Sequence, residues 1–233
     1  MTDTQFAFKG KSFYIPVIAL FVIWMVYFIE IKFGFNFNKY GIYPKTVKGL
    51  RGVILSPFIH GSTRHLFNNS VPLAVMLGCL YYFYNSIANK VLIIGLLLTG
   101  LLTWSFARPS YHIGASGVIY FLVSFIFFSG VFRKYYRLIA LSLAVVFLYG
   151  GMIWYVFPVE ERISWEGHLS GFLVGFIFAF IFRRLGPQPE KFVFTENEEF
   201  EKLFDENGNF MPPPVMDTEE KEALHQKNSE IKQ

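Results

Sequence analysis

At 233 residues, with 53% hydrophobic, 20% aromatic and only 16% charged side chains, the chain is too apolar for an ordinary soluble domain. Its net charge of +4 is unevenly divided: the first 184 residues carry 16 basic and five acidic groups and the remainder five basic and 12 acidic, so the basic excess flanks apolar runs and gives no nucleic-acid footprint. The single cysteine, Cys79, excludes a disulfide within the chain and a multi-cysteine metal cluster.

Six apolar runs follow one another, at about 13–31, 65–84, 91–107, 116–132, 138–157 and 167–182. Most approach the 17 or more residues that roughly 30 Å of hydrocarbon requires, which predicts an all-α membrane protein with six transmembrane helices. The first run lacks a small-residue cleavage site, so it is expected to stay as a span rather than leave as a signal peptide. Between the first two runs, residues 32–64 mix Phe33, Phe35, Phe37 and Tyr40 with Gly34, Gly41 and Pro44, which predicts a structured, partly membrane-dipping first loop. The sixth run is short and implies tilt or a thinned bilayer. From residue 185 onward the sequence turns acidic and polar, ending in "MPPPVMDTEEKEALHQKNSEIKQ", which predicts a soluble and disordered C-terminal tail, with a short helix over 197–204 as the alternative. The expected organisation is therefore an N-terminus over 1–12, a membrane domain over 13–184 and a tail over 185–233.

The basic flanks bear on orientation. With the N-terminus in the cytoplasm, Lys9, Lys11, Lys90, Arg133, Lys134, Arg137, Arg183 and Arg184 lie inside, and Arg108 and Arg162 outside. The first loop adds Lys32, Lys39, Lys45, Lys48, Arg51 and Arg64 to the outside and equalises the raw count. The short inner loops agree with one another, so both termini are expected in the cytoplasm.

In a six-span chain the even-numbered spans begin on one side of the membrane. His65 and Asn69 open the second, Ser116 the fourth and His168 the sixth, each within roughly 10 Å of its helix's outer end at 1.5 Å per residue. Polar groups at that depth are costly and face a bundle interior or a water-filled cavity. The chemistry they support is acyl transfer. A serine hydroxyl becomes a nucleophile when a base takes its proton, and imidazole has the suitable pKa. Ser116 paired with His168 supplies both groups. Gly114 and Gly117 admit other backbone, a helix starting at Ser116 directs free N–H groups at developing negative charge, and Asn69 and His65 share a helical face from which to add donors. Gly167, Gly171 and Gly175 recur every four residues, a face that brings span six close to span four. Tyr120, four residues after Ser116, is placed to stack on His168. Glu166 sits near the mouth, so a dyad without a buried carboxylate is expected.

Other readings share these residues. His112, one turn before Ser116, is a nearer candidate base, although it belongs to the preceding loop. His60, His65 and His168 together suggest a metal site, which would leave Ser116 and the glycines without a role. The hydrolase elbow Gly-x-Ser-x-Gly is not matched, because Val118 occupies the second glycine's place. A polar cluster also fits a transporter or channel, but no inverted repeat or broken helix pair accompanies it.

Three segments, "RHLFNNS", "HIGASGVIY" and "GHLSGFLVG", in this order on spans two, four and six, resemble the rhomboid intramembrane serine proteases. The resemblance covers all six spans and implies a six-helix bundle with Ser116 as nucleophile, His168 as general base, His65, Asn69 and Ser116 stabilising the oxyanion, and Tyr120 supporting the base, with no cofactor and no metal. Arg51 resembles the basic residue of the family's first-loop Trp-Arg pair, with Leu50 in the tryptophan's place. It implies further that transmembrane protein substrates are cut within the lipid bilayer near their outer ends through an acyl-enzyme, with a bacterial plasma (inner) membrane as the expected location. The alternative is a non-proteolytic rhomboid-like protein that binds membrane clients.

Overall fold

The computed structural model describes residues 6, 8–160, 163–189 and 198–212, in two compact units divided after Pro189. Among the described residues the first unit contains six helices long and apolar enough to cross a membrane. They are α1 (Lys11–Phe33), α4 (Thr63–Phe83), α5 (Ala88–Phe106), α6 (Ser116–Arg133), a fifth span formed by α7 (Tyr136–Tyr149) and a 3-10 segment (Gly150–Val156), and α8 (Trp165–Ile181), which a 3-10 turn extends to Arg184. With that turn the sixth span has 20 residues, longer than the apolar run over 167–182. The reason is local. At its start α8 takes in Trp165 and Glu166, whose carboxylate accepts from Arg108, and at its end the 3-10 turn adds Arg183 and Arg184.

The first loop is structured. It holds a 3-10 turn (Asn38–Tyr40), two single-turn helices, α2 (Val47–Leu50) and α3 (Gly52–Leu55), and a second 3-10 turn (Ser56–Phe58). Thr46 caps α2 by accepting a hydrogen bond from Gly49 N at 3.1 Å. Phe33, Phe35, Phe37 and Tyr40 form a chain of ring contacts. Arg51 lies over the Tyr40 ring at 4.5 Å and donates to the Lys39 carbonyl at 2.8 Å, so its anchoring does not depend on a tryptophan at position 50.

The centre of the bundle is the contact between α6 and α8. A Cβ on Gly171 would run into the Gly117 carbonyl, and one on Gly175 into the Phe121 carbonyl, so the two backbones touch only because both positions are glycine. On the opposite end, Arg133 is 5% exposed and donates to the carbonyls of Phe182 (2.7 Å), Arg183 (3.0 Å) and Pro187 (3.1 Å) and to Ser129 Oγ (2.8 Å). A residue legible in sequence as a flank charge thus caps the C-terminal end of the sixth span, where unsatisfied carbonyls and the negative dipole end favour a cation.

In the second unit the described residues form α9 (Glu198–Glu201) and a tight loop in which the Asp205 carboxylate accepts from the backbone N–H groups of Asn207 and Asn209 and from the Asn209 amide. The predicted disordered tail falls largely on residues 190–197 and 213–233, outside the described residues.

Candidate active site

The N-termini of α4, α6 and α8 meet at one end of the bundle. Ser62 caps α4 by accepting a hydrogen bond from His65 N at 3.1 Å, which sets the helix register so that His65 and Asn69 stand one turn apart on the inner face. Gly114 takes φ +103°, a conformation that L side chains rarely adopt, and turns the chain into α6 at Ser116. An ideal Cβ at Gly114 would lie 2.6 Å from His65 Nε2 and 3.3 Å from Asn69 Nδ2. Both side chains therefore close on the backbone immediately before the serine.

Ser116 Oγ and His168 Nε2 are 2.9 Å apart. His168 Nδ1 is 2.9 Å from the Tyr155 carbonyl, which can only accept, so Nδ1 carries the proton and Nε2 presents its lone pair to the serine hydroxyl. That tautomer is the one a general base needs. Tyr120 stacks on the imidazole with ring centroids 4.2 Å apart and planes within 10°, while its hydroxyl donates to the Met152 carbonyl at 2.7 Å. Both carbonyls come from the 3-10 segment of the fifth span. The paired glycines Gly150 and Gly151 weaken the α-helix there, and the tighter winding turns Met152 O and Tyr155 O to the site. No side-chain pattern marks a carbonyl acceptor, which is why the sequence reading names Tyr120 and not Tyr155.

The other candidates resolve by their partners. His112 Nδ1 faces Ser164 Oγ at 2.6 Å and its Nε2 faces the Arg108 carbonyl at 3.1 Å, so both nitrogens are engaged away from Ser116. Burial pushes the His112 pKa below its usual value, against the raising effect of the Arg108 carbonyl, and the ring stays neutral in this network. Its backbone also pairs with Ile42, tying the first loop to the segment that leads into α6. Glu166 is 2% exposed, but its carboxylate takes the Arg108 N–H at 3.2 Å and the Arg108 guanidinium at 3.5 Å rather than His168. His168 spends both nitrogens on Ser116 and Tyr155, and His60 bonds Asn69, so the three histidines do not converge as ligands. Gly117 belongs to the α6–α8 contact, where an added Cβ would meet the Gly167 carbonyl at 3.2 Å. A cavity of about 30 Å³, enough for a single water molecule, adjoins Ser116 and is lined by Thr99, Thr103, Ser164 and Gly167.

The family model described as the Rhomboid domain matches residues 48–185, from the first loop through the sixth span. Uncharacterized proteins of Mycobacterium bovis and of Mycobacterium tuberculosis are each 34% identical to this chain over 176 residues, 70% of either chain. An uncharacterized protein of Mycobacterium leprae is 34% identical over 137 residues, 52% of either chain.

Proposed function

Since this chain belongs to the rhomboid family, we propose that it is an intramembrane serine endopeptidase that cuts transmembrane segments of other membrane proteins by way of an acyl-enzyme on Ser116. The observation that carries the reading is the 2.9 Å contact between Ser116 Oγ and His168 Nε2, with the imidazole tautomer set by Tyr155 O. In the first half-reaction His168 takes the hydroxyl proton as Oγ attacks the peptide carbonyl carbon. The oxygen acquires negative charge facing the Asn69 amide, His65 and the free N–H groups at the start of α6, and His168 then returns the proton to the departing amine. In the second half-reaction water, activated by the same imidazole, attacks the ester carbonyl and releases Ser116. The small cavity beside Ser116, whose lining includes the hydroxyls of Thr99, Thr103 and Ser164, has room for that water.

A peptide bond inside a helix is hydrogen-bonded and sterically shielded, so substrates with glycine or other helix-weakening residues near the cut open most easily. The fifth span packs chiefly on α6, is largely exposed, and carries the carbonyls that face Tyr120 and His168, whereas the equally exposed α1 packs on α4; this favours the fifth span as the side from which a substrate helix reaches the dyad. The expected placement is a bacterial plasma membrane with both termini cytoplasmic, supported by the short inner basic loops and by relatives that are bacterial. In this reading residues 13–184 form the protease domain and 185–233 a cytoplasmic tail.

The test is labelling of the purified protein in detergent with a fluorophosphonate probe, alongside Ser116→Ala and His168→Ala. Labelling of the wild type that both variants lose supports the reading; a folded wild type that stays unlabelled overturns it in favour of a client-binding protein.

A further inference from the structure

His60 is the buried polar side chain nearest the site that this mechanism does not use. It is 1% exposed and lies between the 3-10 turn Ser56–Phe58 and the start of α4. Its Nε2 is 3.1 Å from Asn69 Nδ2, and its ring meets the His65 ring edge-on at 5.0 Å, so it touches both side chains assigned to the oxyanion. An amide nitrogen only donates, so Nε2 must be the unprotonated nitrogen and the proton sits on Nδ1. The Phe58 backbone faces Nδ1 without completing a hydrogen bond. Burial first, and the neighbouring His65 second, push the His60 pKa down to about 4, which keeps the acceptor lone pair available at neutral pH.

A primary amide has two N–H groups on one end and a carbonyl oxygen on the other, with nearly the same shape either way round. Turned one way, Asn69 offers a donor to developing negative charge; turned the other, it offers a repelling oxygen. Shape alone does not choose between them. We propose that His60 chooses: by accepting one Nδ2 hydrogen of Asn69, it holds the second toward the space between Gly114 and Ser116 where the oxyanion forms. His60 is thus a positioning residue that acts through Asn69, and the inference rests on the serine-protease reading above. The closeness of Asn69 Nδ2 to the Gly114 backbone puts the amide's donor end on that side.

The test is a double-mutant cycle on the full chain in detergent. It combines His60→Leu and Asn69→Ala, read by the fluorophosphonate labelling rate and by kcat and KM on a transmembrane reporter peptide. Loss of one oxyanion donor costs about 10²- to 10³-fold in kcat, and a donor left free to turn is expected to lose about tenfold, with KM unchanged. In the Asn69→Ala background His60→Leu is expected to cost less than about twofold more, because the group it orients is gone. His60→Gln, whose side-chain oxygen reaches Asn69, restores most of the rate. His60→Asn, whose amide stops short of Asn69, enters the same cycle, so poor folding of the leucine variant does not decide the result. Equal losses in both backgrounds, in kcat or in labelling, overturn the inference alone. A wild type without Ser116-dependent labelling overturns the reading and the inference together.

Discussion

The α6–α8 seam and the fifth span contribute to the same site by opposite means. In the seam, glycine lets backbone meet backbone, and 61% of the α6 window is buried; the fifth span, at 17%, faces its surroundings along most of its length. The seam carries the hydrogen-bonded pair Ser116 and His168, while the fifth span supplies the carbonyls of Met152 and Tyr155. Ser116 and His168 thus sit on the most closely packed contact in the bundle, and the carbonyl that sets the His168 tautomer sits on a largely exposed span.

The sharpest break is at the dyad itself. Ser116→Ala and His168→Ala are each expected to lower cleavage by about 10⁴-fold or more while the helical circular dichroism spectrum stays that of the wild type. Next come the two kinds of glycine. Gly171→Val forces apart the α6 and α8 backbones and is expected to cost about 3 kcal/mol in detergent denaturation, with cleavage lost as His168 moves away from Ser116. Gly151→Ala, where a Cβ meets nothing within 4 Å, should stay within about 0.5 kcal/mol of the wild type. A similar cost at both positions would erase the contrast between seam and span.

At the opposite end, Arg133→Met leaves the carbonyls of Phe182, Arg183 and Pro187 uncapped, for an expected loss of about 2 kcal/mol measured the same way. Tyr120→Phe keeps the ring on His168 and removes only the bond to Met152 O. It should cost about 1 kcal/mol and slow cleavage several-fold, since Tyr155 O lies on the same segment.

Stability also depends on pH through His60. His60 in the folded protein binds its proton only near pH 4, against 6.5 in the unfolded chain. Above 6.5 neither state is protonated and His60 adds nothing; as pH falls from 6.5 to 4 only the unfolded state gains the proton, so stability declines and then levels off. The wild type should accordingly lose melting temperature relative to His60→Gln as pH drops through that window, and parallel curves would show that His60 is not the group responsible.

The sequence reading brings Ser116, His168, His65 and Asn69 to one end of the bundle by span parity and adds Tyr120 by its helical spacing from Ser116, and the structure places them there. Apolar runs and helical repeats carry that information because hydrocarbon imposes one length and one backbone geometry on every span. The readings of Arg133 as a flank charge, of Glu166 as a residue near the mouth and of His60 as a candidate metal ligand are less complete, because a charge or an imidazole has the same letter whether it faces solvent, a carbonyl or an amide. What the sequence by itself determined is the solvent, the six spans and which side chains share a leaflet, since these depend on composition and spacing along one chain. What only the tertiary structure decided is the tautomer of His168, set by Tyr155 O, and the orientation of the Asn69 amide, set by His60. Both depend on hydrogen-bond partners that long-range packing brings within 3 Å or so, and a backbone carbonyl leaves no mark in the order of residues.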